Sequence, residues 1–486
     1  MKKLHDIAPL MKNLDLLQKT PVKDGISRRH ALKLMGLSPI AASVIAGSTA
    51  TEAKASDAKG KIVILGGGAG GIMAMAHLRK NLNNPDITIV APNEVHLYQP
   101  GQVFIAAGIY EGKDIEMSNL DFIPDDVNWI KDEAQSIDAD NNKVTLRSGE
   151  ELNYDYLVVA TGIQYHYEKI EGLSIDDIGK NGISSVYLSD LEKGTHQGGE
   201  ITKQWFDDLK QAAKDGKNPK AVFTQPDTAI KCGGAPQKIL YLAADYLKQD
   251  GLSAECTFCT NTESLFSLPN VAEELARTQE TYEGMSTKFK HVLIKVDVQN
   301  KLATFAHAYQ EQGEWDEDFE MYETTDHYEE VELPYDFLHV VPPMGPVDAV
   351  RDSMLGWQKG SAKGWLEVDR ESLQHRRYKN VFGIGDICGI PMGKTGGSAR
   401  HHAPIMAKNL ISQMEGKELI EKFDGYTVCP LKPRYGEIIM AEFGYDGPIP
   451  SIPFWKDVSV PRSSWWFFDV YMLKPMYQHL MMRGLM

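Results

Sequence analysis

The chain of 486 residues carries 51 Lys and Arg against 67 Asp and Glu, a formal charge of −16, and 42% of it is hydrophobic. That length suits two or three domains with substantial cores, and the acidic balance argues against broad nucleic-acid binding, which needs a basic face to neutralise phosphates. Five cysteines are too few for a disulfide scaffold, and no apolar run reaches the about 18 residues of a spanning helix.

The charge is unevenly spread. Residues 1–55 carry a net +5, so the rest of the chain carries −21. This leader contains S-R-R-H-A-L-K from Ser27 to Lys33, a mildly apolar run from Leu34 to Gly47, and the small-residue triplet Ala53-Lys54-Ala55. Paired arginines, a weakly hydrophobic stretch and an A-x-A site predict a twin-arginine export signal, and with it a periplasmic location. Ala31 stands where such signals usually carry a large apolar residue.

The next elements follow a strand–helix–strand pattern. Lys61 to Leu65 reads as a buried parallel strand, Ile72 to Asn81 as a helix ended by Pro85, and Ile87 to Val90 as the next strand. Gly66-x-Gly68-x-x-Gly71 sits at the first turn, with Ala69 between the second and third glycines. Such glycines permit a tight turn, let the backbone approach a pyrophosphate, and pack helix on strand, while the helix N-terminus offers N–H groups to the phosphates. A lone motif of this kind is weak evidence, but one placed between a strand and a helix predicts a bound dinucleotide. The second strand ends in Ala91 rather than an acidic residue, leaving Glu94 as the nearest carboxylate for ribose.

Leu157 to Ala160 forms a further strand ending in Thr161-Gly162, and Val381-Phe382-Gly383-Ile384-Gly385-Asp386 is another strand entering a glycine turn. These two segments resemble the second and third fingerprints of two-dinucleotide-domain flavoproteins, in which the aspartate contacts the ribitol of FAD. Between them, Ala221-Val222-Phe223 and a helical stretch from Gln237 to Lys248 read as a second βα unit. No second G-x-G-x-x-G follows that strand. The sequence there is T-Q-P-D-T-A-I-K-C-G-G-A-P, so a nicotinamide site is absent from this reading and Cys232 takes its place.

Cys232 lies near a helix N-terminus beside Lys231, and both features favour a thiolate. Cys388 follows Asp386 by two residues. Both cysteines are placed beside the flavin by their motifs, which suggests a redox-active disulfide. Cys256 and Cys259 lie on a strand that points them to opposite faces, so they read as structural, and no metal site is expected. Cys429, before Pro430, reads as a packed thiol. The acidic stretch from Gln310 to Glu332 reads as an exposed loop or hairpin.

Stretches over nearly all of the chain after residue 60 resemble the sulfide:quinone oxidoreductases of the two-cysteine type found in animal mitochondria and some bacteria. They include I-Q-Y-H-Y-E-K-I-E-G-L from Ile163, K-C-G-G-A-P-Q-K-I-L-Y-L from Lys231, and Y-D-F-L-H-V-V-P-P-M from Tyr335. L-Q-H-R-R-Y-K-N-V-F-G-I-G-D from Leu373, D-G-Y-T-V-C-P-L from Asp424 and I-I-M-A-E-F-G-Y-D from Ile438 complete the set. The resemblance implies an α/β fold of two Rossmann-like domains, the second inserted in the first, with FAD as cofactor and hydrogen sulfide and quinone as partners. It implies that sulfide attacks a Cys232–Cys388 disulfide, that Cys388 becomes the persulfide, and that the freed Cys232 engages the flavin. Lys394 resembles the family lysine near the flavin pyrimidine ring. Cys388 stands one place later than in the mitochondrial pattern. His401 and His402 read as packing or surface residues.

The expected organisation is a signal over 1–55, an FAD-binding domain in two parts over 61–165 and 336–430, and a second Rossmann-like domain over 166–335 carrying Cys232. A C-terminal region follows over 431–486. From Ser463 this tail is rich in aromatic, Leu and Met residues, is split by Pro475, and reads as an amphipathic helical segment that touches a membrane surface. A homo-oligomer is compatible with this reading. Competing readings are the flavoprotein subunit of a flavocytochrome c sulfide dehydrogenase, an NADH:quinone oxidoreductase, and a flavin-bearing sulfur carrier without turnover.

Overall fold

A computed structural model describes residues 55–188, 197–316, 321–452 and 455–486. The twin-arginine leader, apart from Ala55, lies outside the described residues.

Five parallel strands form the first sheet, in the order Val381–Gly383, Tyr156–Val159, Lys61–Leu65, Asp86–Val90 and Asn128–Ile130. The run K-I-V-I-L is central because it is apolar on both faces, as a parallel strand flanked on both sides must be. The helices Ala69–Asn81 and Gly396–Met414 add Ile72, Leu78, Met406 and Leu410 to the core around it. The chain leaves this sheet after Val159 and returns to it at Val381, so the second and third glycine turns end neighbouring strands.

The excursion builds a second parallel sheet, ordered Ile183–Ser184, Phe337–His339, Lys220–Gln225, Glu255–Thr260 and Met285–Phe289. Phe337–His339 therefore belongs to the second sheet, although it follows the boundary expected at residue 335. Cys256 and Cys259 enter different core clusters from this sheet, as residues on opposite faces of one strand do. Burial pushes both thiols up to about 12. The acidic stretch belongs to a long hairpin, Leu302–Asp316 paired with Met321–Pro334.

The tail departs from expectation. Ser463–Phe467 and Leu473–His479 are joined through a π-helical turn at Phe468–Met472, so the irregularity precedes Pro475. Pro475 lies in the first turn of the following helix, where its missing N–H costs no intrahelical bond. The tryptophans expected at a lipid interface, Trp465 and Trp466, are buried in the body, as are Val470, Met476 and Met482. Polar anchors hold the segment down. Lys432 and Asp469 form a buried ion pair at 2.9 Å, and the Tyr477 hydroxyl meets His96 Nε2 at 2.6 Å. Phe467, Tyr471, Leu473 and Lys474 remain half-exposed. Among the described residues no helix is long and apolar enough to cross a membrane.

Candidate active site

The first glycine turn is shaped by close approaches. Gly66 has φ +113° and donates its amide to Val90 O at 2.9 Å, and a Cβ there would lie 2.4 Å from Ala160 O. A Cβ on Gly71 would lie 1.8 Å from Gly66 O, so only glycine lets helix and strand meet here. Gly68 differs, because a Cβ there would face open space. No side chain caps the helix that begins at Ala69, and its first turn holds no acidic residue, which leaves its amides to an anionic ligand. Across the turn, Thr161 Oγ1 is buried with no hydrogen-bond partner, beside Gly162 at φ +73°. The uncapped amides, the open side of Gly68 and the orphaned hydroxyl fit a dinucleotide. Glu94 is half-exposed and its carboxylate pairs with Lys131.

The third turn is held from beneath. Gly385, at φ +77°, donates its amide to His402 Nδ1 at 3.1 Å. His402 is thus a buried acceptor that fixes the turn, a role its sequence context did not signal, while His401 stacks on Tyr426 at 4.0 Å. Burial raises the carboxyl of Asp386 above its ordinary range, against the pull of Lys394 and Lys231. Lys394 donates through Nζ to Asp386 O at 2.6 Å and Cys388 O at 3.0 Å, and lies over the Trp365 ring at 3.6 Å. Burial lowers its ammonium to about 8.

Cys232 meets this turn through the backbone, its amide donating to Lys394 O at 2.8 Å. It precedes Gly233 and Gly234, the latter opening the helix Ala235–Lys248. The charge beside its sulfur is not that of the adjacent Lys231, which donates to Gln99 Oε1 at 2.6 Å. It is that of buried Lys238, whose Nζ donates to Cys232 Sγ at 3.1 Å. Contact with the Cys429 thiol, and then the charge of Lys238, hold the Cys232 thiol well below the usual cysteine range against the opposing effect of burial.

The expected pairing of Cys232 with Cys388 is not the one formed by proximity. All five cysteines are free thiols, and the sulfur next to Cys232 Sγ, at 3.7 Å, is that of Cys429. Cys388 follows the turn Gly385–Ile387 and folds its sulfur back against Gly383, beside Leu366 and Val368. Burial pushes that thiol up to about 12. Cys429 lies on Thr427–Arg434, a strand packed beneath the start of the Cys232 helix. Lys238 and Cys429 were missed as site residues. The contact of Cys429 joins positions 197 residues apart and leaves no local trace in sequence. Among the described residues no group of His, Cys, Asp and Glu could hold a metal ion.

The pyridine nucleotide-disulphide oxidoreductase family matches residues 60–200. With the nucleotide cradle and the thiol site, this match defines a flavoprotein of that class, with FAD as its cofactor. The chain is 36% identical over 428 residues to the mitochondrial sulfide:quinone oxidoreductase of Dictyostelium discoideum, covering 87% of this chain and 86% of that one. It is 33% identical to the corresponding protein of Mus musculus over the same shares. The solved sulfide:quinone oxidoreductase of Aquifex aeolicus shares the fold, with a TM-score of 0.63 at 20% identity over 86% of this chain and 91% of that one. The chain belongs to the sulfide:quinone oxidoreductase family and is an enzyme of it.

Proposed function

We propose that this enzyme oxidises hydrogen sulfide to sulfane sulfur and passes the electron pair through FAD to quinone, with Cys232 as the reacting thiol. The observation that carries the reading is the placement of Cys232, its sulfur 3.1 Å from a buried ammonium and its amide bonded to Lys394 at the third flavin motif. A thiol so placed is a ready nucleophile and a good leaving sulfur in exchange with a disulfide.

Gly66, Gly68, Ala69 and Gly71, with Thr161, Gly162, Gly385 and Asp386, are the residues proposed to hold FAD. Bound FAD supplies a two-electron carrier between the thiol and quinone. Lys394 ties Cys232 to the 386–388 turn and is proposed to set a positive charge beside the flavin ring. The disulfide that sulfide opens needs a second sulfur; the resemblance implies Cys388, but the sulfur in contact with Cys232 is that of Cys429, at 3.7 Å.

The half-exposed face of Phe467, Tyr471, Leu473 and Lys474 is the surface proposed for membrane contact and quinone entry. Co-sedimentation with quinone-loaded vesicles, weakened in Leu473→Glu, tests it. Export to the periplasm is the location that Arg28-Arg29 supports, whereas the relatives carry mitochondrial names. N-terminal sequencing of the mature protein decides the point.

The functional test is steady-state turnover. Purified protein reduces a soluble quinone analogue in the presence of sulfide, and Cys232→Ser abolishes the reaction. Turnover with a haem protein but not with quinone would favour the flavocytochrome reading and overturn this one.

A further inference from the structure

We propose that Tyr477 and His96 are positioning residues for FAD, through which the C-terminal segment fixes the wall of the first glycine turn; this rests on the cradle proposed above. The Tyr477 hydroxyl meets His96 Nε2 at 2.6 Å, across 381 positions of sequence. On its other side, His96 Nδ1 meets Asn119 Oδ1 at 2.8 Å. Tyr477, His96 and Asn119 are all buried.

The relay ends on the cradle. A Cβ at Gly67, between the first two spaced glycines, would lie 3.2 Å from Asn119 Nδ2 and 2.5 Å from Ala91 Cβ. Asn119 Nδ2 donates to Asn93 O at 3.0 Å, and the Asn119 amide donates to Glu94 O at 2.6 Å. Asn119 therefore ties the glycine turn to the loop after the strand Asp86–Val90, where a dinucleotide's ribose contact is expected.

The hydrogen bonds run in one direction. Because Asn119 gives its Nδ2 to Asn93, its Oδ1 faces His96 and accepts, so Nδ1 carries the imidazole proton. Nε2 is then an acceptor, and the Tyr477 hydroxyl is its donor. Burial holds the His96 ring below its ordinary value, with hydrogen bonds to Asn119 and the Gly67 backbone opposing it. A neutral ring suits this tautomer. Without the hydroxyl, Nε2 becomes a buried acceptor that has lost its donor.

The same segment grips the helix that the turn begins. Leu480, Met481 and Met482 join the core cluster of Ile72 and Leu78, and Lys80 Nζ donates to Gly484 O at 3.2 Å. Gly484 has φ +63°, and a Cβ there would lie 3.2 Å from Ala76 C. The tail thus closes on both ends of Ala69–Asn81, near its first turn through the relay and near its last through Gly484. Coupling of this kind is reciprocal, so FAD steadies the tail as the tail steadies FAD.

The test follows flavin release from full-length holoenzyme at room temperature, read as free-FAD fluorescence after dilution. Tyr477→Phe keeps the ring and removes only the hydroxyl. Its release is expected to be about 10-fold faster, the effect of one buried hydrogen bond. Release at the wild-type rate, even with a lower melting temperature, would make the bond a structural anchor only and overturn the proposal. A second readout needs no variant. Amide hydrogen exchange over residues 476–482 is expected to slow as FAD saturates the wild-type protein, and exchange indifferent to FAD would overturn the coupling. The cradle fails separately. Gly68→Val that keeps its flavin removes the cradle and the proposal with it. Loss of flavin in Gly68→Val, beside unchanged release in Tyr477→Phe, upholds the cradle and removes the relay alone.

Discussion

The ammonium of Lys238 stands 3.1 Å from the sulfur of Cys232, so a buried cation inside the helix Ala235–Lys248 faces the thiol that precedes that helix. This cation favours the thiolate, and removing it leaves burial to favour the neutral thiol. In Lys238→Met the half-point of iodoacetamide alkylation at Cys232 rises by about 1 pH unit or more, which slows alkylation at neutral pH by roughly 10-fold. An unmoved half-point would place the control of this thiol elsewhere.

In the proposed FAD cradle, Gly68 and Gly71 are expected to separate cofactor binding from folding. A Cβ at Gly68 meets no protein atom, whereas one at Gly71 would lie 1.8 Å from a backbone oxygen. Gly68→Val is expected to keep its circular dichroism spectrum and lose FAD, because the new side chain fills the space a pyrophosphate needs. Gly71→Ala is expected to lose FAD and also about 1–3 kcal/mol of stability, the range for overpacking. Full flavin content in Gly68→Val would contradict the assignment of the cradle.

Lys432 and Asp469 tie the C-terminal segment to the strand that carries Cys429. Removing one charge leaves the other buried and unpaired, at a cost of about 3–5 kcal/mol. Asp469→Ala should therefore lower the melting temperature strongly, and Lys432→Met with Asp469→Leu should restore much of the loss. Equal melting of the single and double variants would show that the pair does not anchor the tail.

Acidity acts through buried histidines. His402 accepts the Gly385 amide and His339 Nε2 accepts the Val186 amide, each at 3.1 Å, and burial lowers both rings to about 3. Unfolded, each titrates near 6.5, at about the ordinary histidine value. Between those values the unfolded state binds more protons, so the stability from each neutral ring is complete above 6.5 and is lost as pH falls toward 3. Each can contribute a slope of about 1.4 kcal/mol per pH unit. Melting temperature should fall from pH 7 to 4, less steeply in His402→Asn, whose carbonyl can still accept the amide; an identical slope would count against this role.

What sequence could show was what is local. Lys61–Leu65 followed by spaced glycines announces strand, turn and helix within a few residues, and the cradle proposed for FAD rests on it. The opposite-facing Cys256 and Cys259 follow from strand period alone. Lys238 was hidden because its effect depends on which helix face turns inward, and Lys231, adjacent in sequence, points instead to Gln99. Cys429 was hidden because its strand reaches Cys232 only through the assembled fold. The tail misled for a related reason. An apolar face with interleaved charges suits lipid and protein equally, and here Trp465 and Trp466 found protein.

Electron transfer from sulfide to the flavin through Cys232 is read out by anaerobic addition of sulfide to purified holoenzyme while flavin absorbance is followed. The oxidised flavin band is expected to be lost in the wild type, to recover on adding quinone, and to persist in Cys232→Ser at equal FAD content. Bleaching of Cys232→Ser at the wild-type rate, or bleaching by NADH and not by sulfide, would contradict it.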